Sequence, residues 1–285
     1  MTAETEKPGL GVRGVGAMSD VQSIDGVEDR FAGMSAEEMA QLYEADAAPD
    51  VTRWVPPGPV AQAFYNDDTS RFAFHMGPVG GGKTSTCIMK RLRMASLMPP
   101  DAEGWRKDYL VVVRDTYRSA SKSTLVSWQE WLPKTFPGST WTGGPDRPVT
   151  HVVRGKLPDG TKFEATTEMV GLNGDRIEAV MRGKPFSSAW VNEAADLQRD
   201  VLPFLGQRLG RFPKLSTLQG KMPYAQMIAD FNAPDLDHWL REVCVDKPLE
   251  GLKFYQQPSG LVRAGEGAYA PNPLAENVKA LRSEE

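Results

Sequence analysis

Residues 71–90 read RFAFHMGPVGGGKTSTCIMK. Residues 71–76 are an apolar run suited to a buried strand, and from Lys83 to Met98 apolar residues recur at helical spacing. Between the two, GPVGGGKT fits G-x-x-x-x-G-K-[ST], with Gly77, Gly82, Lys83 and Thr84 in the defining places. Each position has a physical reason. Successive backbone N–H groups can turn inward on phosphate oxygens only in a tightly curled loop without β-carbons, which Gly80, Gly81 and Gly82 supply. The loop opens a helix, whose N-terminus adds partial positive charge. Lys83 can reach the outer phosphates, while the hydroxyl of Thr84, followed by Ser85, can bind Mg²⁺. A strand before and a helix after distinguish the pattern from a flexible glycine turn and point to a loop for ATP and Mg²⁺.

Outward from the loop, strand and helix patterns alternate. DYLVVVR (108–114), FSSAWVN (186–192) and YAQMIADF (224–231) read as strands, and THVVRGKLPDGTKFEATTE (150–168) as a hairpin turning at PDG. SKSTLVSWQEWL (121–132), LQRDVLPFLGQRL (197–209) and LDHWLREVC (236–244) read as helices. Apolar strands alternating with helices predict an α/β fold of the P-loop kind, a mainly parallel sheet with helices on both faces. The core is expected over 67–285, ending in a linker helix at PNPLAENVKALRSEE. Before it come an acidic, Gly-rich leader (1–34) and a helical segment (35–66) whose SAEE start at Ser35 is a capping box. VPPGP (55–59) breaks that segment before a short helix through VAQAFYN.

With 285 residues the chain can bury a full-sized core. Residues 1–50 hold 11 acidic against 3 basic side chains, and the rest 26 against 30. A mildly basic body behind an acidic leader is compatible with a polyanionic partner but does not define one. Cys87 and Cys244 lie too far apart to suggest a disulfide framework, and His75, His151 and His238 show no ligand spacing. No stretch approaches the roughly 18 consecutive apolar residues of a membrane span, so a cytoplasmic protein without a membrane partner is expected.

Nucleotide hydrolysis also requires an acidic strand end beside the loop. AWVNEAAD (189–196) ends its strand in Asn192-Glu193. Glu193 is the candidate general base or water-orienting residue. Asn192 is anomalous, because its position beside the metal usually carries an aspartate whose charge supports Mg²⁺.

Together the motifs resemble the ATPase half of the large terminase subunit, which packages DNA into tailed-phage and herpesvirus capsids. The resemblance rests on GPVGGGKT, LVVVRDTYRS (110–119), MRGKPFSSAWVNEA (181–194), GQRLGRFPK (206–214) and IADFNAPDLDHWL (228–240), and spans roughly residues 50 to 280. It implies a RecA-like ASCE ATPase, double-stranded DNA as the track, and a portal protein and small terminase subunit as partners. It further implies self-association into a ring, a pentamer on the portal, and action in the host cytoplasm docked on the procapsid. Asn232 would sense the γ-phosphate and couple hydrolysis to movement. Arg182 would be the arginine finger entering a neighbour's site, with Arg208 and Arg211 as alternates, and Gln62 would read adenine. No RNase H-like nuclease follows in the sequence, so DNA cutting is not expected of this chain. Two other functions share the loop: a nucleotide or small-molecule kinase, and a nucleotide-gated binding module with little turnover.

Overall fold

A computed structural model describes residues 55–144, 147–259, 261–265 and 268–271. The leader, the helix expected from Ser35 and the C-terminal linker helix lie outside the described residues. Eight strands form one sheet in the order β3-β4-β5-β2-β6-β7-β1-β8. They are β1 (Phe72–Met76), β2 (Trp105–Arg114), β3 (Ser139–Gly144), β4 (Arg147–Lys156), β5 (Lys162–Gly171), β6 (Ser188–Asn192), β7 (Met227–Phe231) and β8 (Leu252–Gln256). From β5 to β8 every pairing is parallel, whereas β3, β4 and β5 form an antiparallel arm. The expected hairpin is β4–β5, closed by a turn at Leu157–Gly160. A separate antiparallel pair, β9 (Leu261–Gly265) and β10 (Ala268–Pro271), follows.

Alternation along the strands sends side chains to two cores. Phe72, Phe74, Val111, Val113, Ala189, Val191, Ala229 and Phe231 face one side. Covering them are Ile177 of α5 (Ile177–Val180), Leu202 and Leu205 of α6 (Val201–Gly206), and Leu240 of α7 (Trp239–Arg241). Ala73, Leu110, Val112, Trp190 and Ile228 face the other side. There they meet Phe64 of α1 (Pro59–Tyr65), Cys87, Ile88 and Leu92 of α2 (Lys83–Ser96), and Trp128 of α4 (Leu125–Trp131). Every residue of β6 and β7 is buried, as central parallel strands require. The α/β architecture with helices on both faces is therefore as the sequence predicts. Among the described residues no helix is long and apolar enough to cross a membrane.

Helix boundaries differ from the sequence reading in three places. The helix expected over 197–209 shrinks to α6, whose start is confined to the first turn around Pro203, because proline has no N–H to donate to Arg199. The helix expected over 236–244 starts only at Trp239, where the His238 ring accepts the Leu240 N–H at 3.1 Å, and passes into a π turn over Glu242–Asp246. The helix expected over 121–132 begins earlier, at α3 (Tyr117–Ser119), capped by Thr116, and contains a π turn at Ala120–Thr124. Such turns displace side chains from the regular helical face, and this one carries Thr124 to the end of β6.

The helix behind the glycine loop is fixed by buried cations. Lys90 donates to the carbonyls of Phe64, Tyr65 and Asp67 at 2.9, 3.3 and 2.6 Å, satisfying the C-terminal end of α1. Arg91, fully buried, pairs with Asp108 of β2 and donates to Thr167 Oγ1 at 2.8 Å and the Thr166 carbonyl at 2.7 Å on β5. Removing one partner of such a pair leaves an uncompensated charge in the core. Asp108→Ala should therefore destabilise the fold by about 3–5 kcal/mol, whereas replacing both Arg91 and Asp108 by leucine should cost less. Denaturant unfolding of the two variants checks this ordering.

Candidate functional site

The parallel strands β1, β2, β6 and β7 end on one edge of the sheet, where ligands bind in open α/β folds. The glycine loop leaves β1 there. Gly77 N–H bonds to the Phe231 carbonyl at the end of β7, and Gly81 N–H to Pro78 O within the loop. Gly82 caps α2 in the left-handed region at φ 71°, and a β-carbon there would lie 2.4 Å from Pro57 Cγ. On its other side the loop is held by Gln257, just beyond β8, whose amide donates to Gly81 O at 2.9 Å. A β-carbon on Gly77 would lie 2.3 Å from that glutamine's Oε1, so the glycines here also make room for a packed neighbour.

Lys83 is buried at the head of α2, with its ammonium donating to Pro78 O at 2.8 Å and Asn232 Oδ1 at 2.9 Å. Burial lowers its pKa, while the carboxylates of Asp230 and Glu193 pull it back up. Thus Asn232, singled out in IADFNAPDLDHWL, meets the lysine of GPVGGGKT. Glu193 follows β6 in the left-handed region (φ 50°, ψ 57°), a conformation that costs a non-glycine residue about 1–2 kcal/mol. Burial, followed by the charge of Asp230, raises its pKa; Arg114 and Lys83 oppose that shift. A carboxylate held in a strained, half-buried position beside cations is suited to orienting water.

Asn192 is buried, but its polar atoms are engaged within the protein. Its amide donates to Asp230 Oδ1 at 2.9 Å, and its carbonyl oxygen accepts the Thr124 hydroxyl. Asn192 Oδ1, the atom that would face a cation in the metal-ligand role expected of this residue, is thus shared with Thr124 and keeps one lone pair. The Thr84 hydroxyl instead points at Asp230 Oδ2, 3.3 Å away. Asp230 was missed from sequence, although a lone aspartate in the apolar run MIADF was its signal. Thr124 and Gln257 carried no comparable signal.

The arginines separate. Arg114, at the end of β2, is buried, and its Nε and Nη1 have no hydrogen-bond acceptor among the described residues; Asp196 lies 3.6 Å from Nη1. Arg182 is exposed on the segment returning from α5 to β6. Arg208 lies over the Phe204 ring at 4.7 Å. Arg211 bonds through its backbone to Phe186, before β6 begins, and so lies about 20 Å of strand from the glycine loop's edge. Gln62 is exposed on α1. The histidines serve structural ends: His75 is buried and stacked on Phe64, His151 accepts from Trp128 Nε1 at 2.9 Å, and His238 caps α7.

No family model matches the sequence, and no curated protein matches it. Among solved structures the chain is similar to the large terminase of the thermophilic bacteriophage D6E, at 11% identity and a TM-score of 0.50, over 70% of this chain and 45% of that one. The same phage protein in complex with ADP aligns at 12% identity and TM-score 0.48, over 69% and 43% of the two chains. The Thermus phage P74-26 large terminase ATPase domain aligns at 15% identity and TM-score 0.44, over 76% and 86%. The chain thus spans less than half the length of the D6E protein, and the likeness is one of fold alone, an α/β fold shared with that large terminase.

The left-handed backbone at Glu193 yields a stability signature. Glu193→Gly relieves the strain and Glu193→Ala does not, so the glycine variant should be the more stable of the two by about 1 kcal/mol. Denaturation midpoints of the two variants decide this, and an alanine variant of equal or greater stability would contradict the geometry.

Proposed function

We propose that the chain is an ATP-hydrolysing motor of the large-terminase type that moves double-stranded DNA into a viral procapsid. The observation that carries the reading is the bond from Lys83 Nζ to Asn232 Oδ1 at 2.9 Å, across 149 positions of sequence. It joins the phosphate loop to the IADFNAPDLDHWL segment, with Glu193 at the neighbouring strand end. Lys83, the loop amides and the N-terminus of α2 would hold the phosphates of ATP, with Gln62 near the base, and Thr84 would face Mg²⁺. The oxygen-rich surroundings of the Thr84 hydroxyl fit a hard cation, which when bound would neutralise phosphate charge. Glu193 would orient the attacking water, and Asn232, bonded to the lysine that meets the outer phosphates, would register whether the γ-phosphate is present.

Double-stranded DNA, a portal protein, a small terminase subunit and further copies of the chain in a ring, a pentamer on the portal, are the partners of this reading, in the host cytoplasm at the procapsid. Purified protein should release phosphate from ATP without any acceptor, faster with double-stranded than with single-stranded DNA. Lys83→Ala should abolish release, and Glu193→Gln should lower turnover by roughly 10²-fold or more while ATP still binds. Hydrolysis indifferent to duplex DNA would contradict the motor, and unchanged turnover in Lys83→Ala would contradict the site.

Arg182 is exposed and makes no hydrogen bond or ion pair among the described residues, as suits a side chain that completes a neighbour's site. An arginine supplied in trans accelerates phosphoryl transfer by roughly 10³ to 10⁵. Specific activity should therefore rise with protein concentration, and mixing Arg182→Ala with Lys83→Ala subunits should partly restore turnover. Activity per chain independent of concentration, with no rescue on mixing, would place the arginine elsewhere.

A further inference from the structure

We propose that Asp230 supplies the negative charge that supports Mg²⁺ in this site, from the strand between the glycine-loop strand and the Glu193 strand, and that Asn192 serves to hold it. The inference rests on the nucleotide-binding reading above. β7 lies between β1 and β6, and its register sets Asp230 directly beside Asn192. The pair exchanges an amide–carboxylate hydrogen bond at 2.9 Å. Thus the acid absent from position 192 is present one strand away, at the same height on the sheet.

Asp230 is fully buried, and its three donors among the described residues are all neutral. Oδ1 accepts from Trp190 Nε1 at 2.8 Å and Asn192 Nδ2 at 2.9 Å. Among the described residues Oδ2 takes only the Thr84 hydroxyl, at 3.3 Å. A buried carboxylate without a cation at ion-pair distance is costly to keep. Lys83, whose charge interacts with that of Asp230, is itself bonded to Pro78 and Asn232. By accepting the Thr84 proton, Asp230 leaves that hydroxyl's lone pairs directed away from itself, available to a hard cation. Among the described residues no three His, Cys, Asp or Glu side chains converge. Mg²⁺ does not require that, because it is held by one or two protein groups with phosphates and water.

The network also assigns Asn192 a task. Its carbonyl is held by Thr124 from the π turn, so its amide is oriented toward Asp230. Asp230 is on this view a positioning residue for the metal, and the pair should tolerate exchange of its two members. The test uses the full chain and a fluorescent ADP analogue, titrated with Mg²⁺ or with EDTA, alongside Mn²⁺ titrations read by electron paramagnetic resonance. Wild type should bind ADP more tightly with Mg²⁺. Asp230→Asn should bind ADP in EDTA as wild type does but show metal affinity about 10- to 100-fold weaker. The double variant Asn192→Asp/Asp230→Asn keeps one carboxylate and one amide, and should regain the metal dependence. An Asp230→Asn protein with undiminished Mg²⁺ and Mn²⁺ dependence overturns the inference and leaves the nucleotide site standing. A folded double variant without metal dependence overturns it as well. Failure of the wild-type chain to bind ADP under either condition would overturn both readings.

Discussion

Lys83 keeps its ammonium group out of water at the N-terminal end of α2, where the helix dipole also disfavours a positive charge. Burial alone would drive it toward neutrality; acceptors and carboxylates gathered from elsewhere in the chain restrain that shift. Pro78 and Asn232 provide the hydrogen bonds, and Asp230 and Glu193 the opposing charge. None of these groups except Pro78 is close in sequence. The sheet order is what delivers them: β1 launches the loop, β7 beside it brings Asp230 and Asn232, and β6 next to that brings Glu193. A misregister of β7 by one residue would turn Asp230 to the opposite face of the sheet and leave the lysine without its main compensating charge.

The same helix bears two further buried cations, and each ties it to a different part of the fold. Lys90 closes the end of α1, and Arg91 reaches both β2 and β5. The loop at the head of α2 is therefore anchored from behind by polar contacts with fixed geometry, whereas apolar packing alone would permit sliding. Gln257 and Pro57 close on the loop from either side. Rigid support behind, with left-handed backbone at Gly82 and Glu193 in front, suits a site that must present donors in a fixed array.

Around Asn192 the fold departs from its simplest form. A π turn breaks the helix after β2 and turns Thr124 onto Asn192, while Trp190 and Asn192 both donate to Asp230. Such a fully bonded polar network inside a parallel sheet is specific as well as stabilising, since loss of any member leaves a buried group unsatisfied. Its position, against Thr84 and next to Glu193, couples the core of the sheet to the edge where the loop lies.

What the sequence determined by itself was local. The glycine loop is contained in eight residues, its spacing is imposed by backbone geometry, and the strand and helix around it follow from apolar periodicity, so the α/β class and the loop were legible in GPVGGGKT and its flanks. Glu193 and Asn232 were legible because short motifs mark the ends of their strands. In the sequence position 192 is a weakness, since sequence can show that an aspartate is missing but not that another stands beside it. Asp230 lies 38 positions away, and only the insertion of β7 between β1 and β6 makes them neighbours. Hydrogen bonding between parallel strands is long-range by necessity, because each crossover separates partners by a helix or more. Tertiary structure therefore decided which carboxylate meets Thr84.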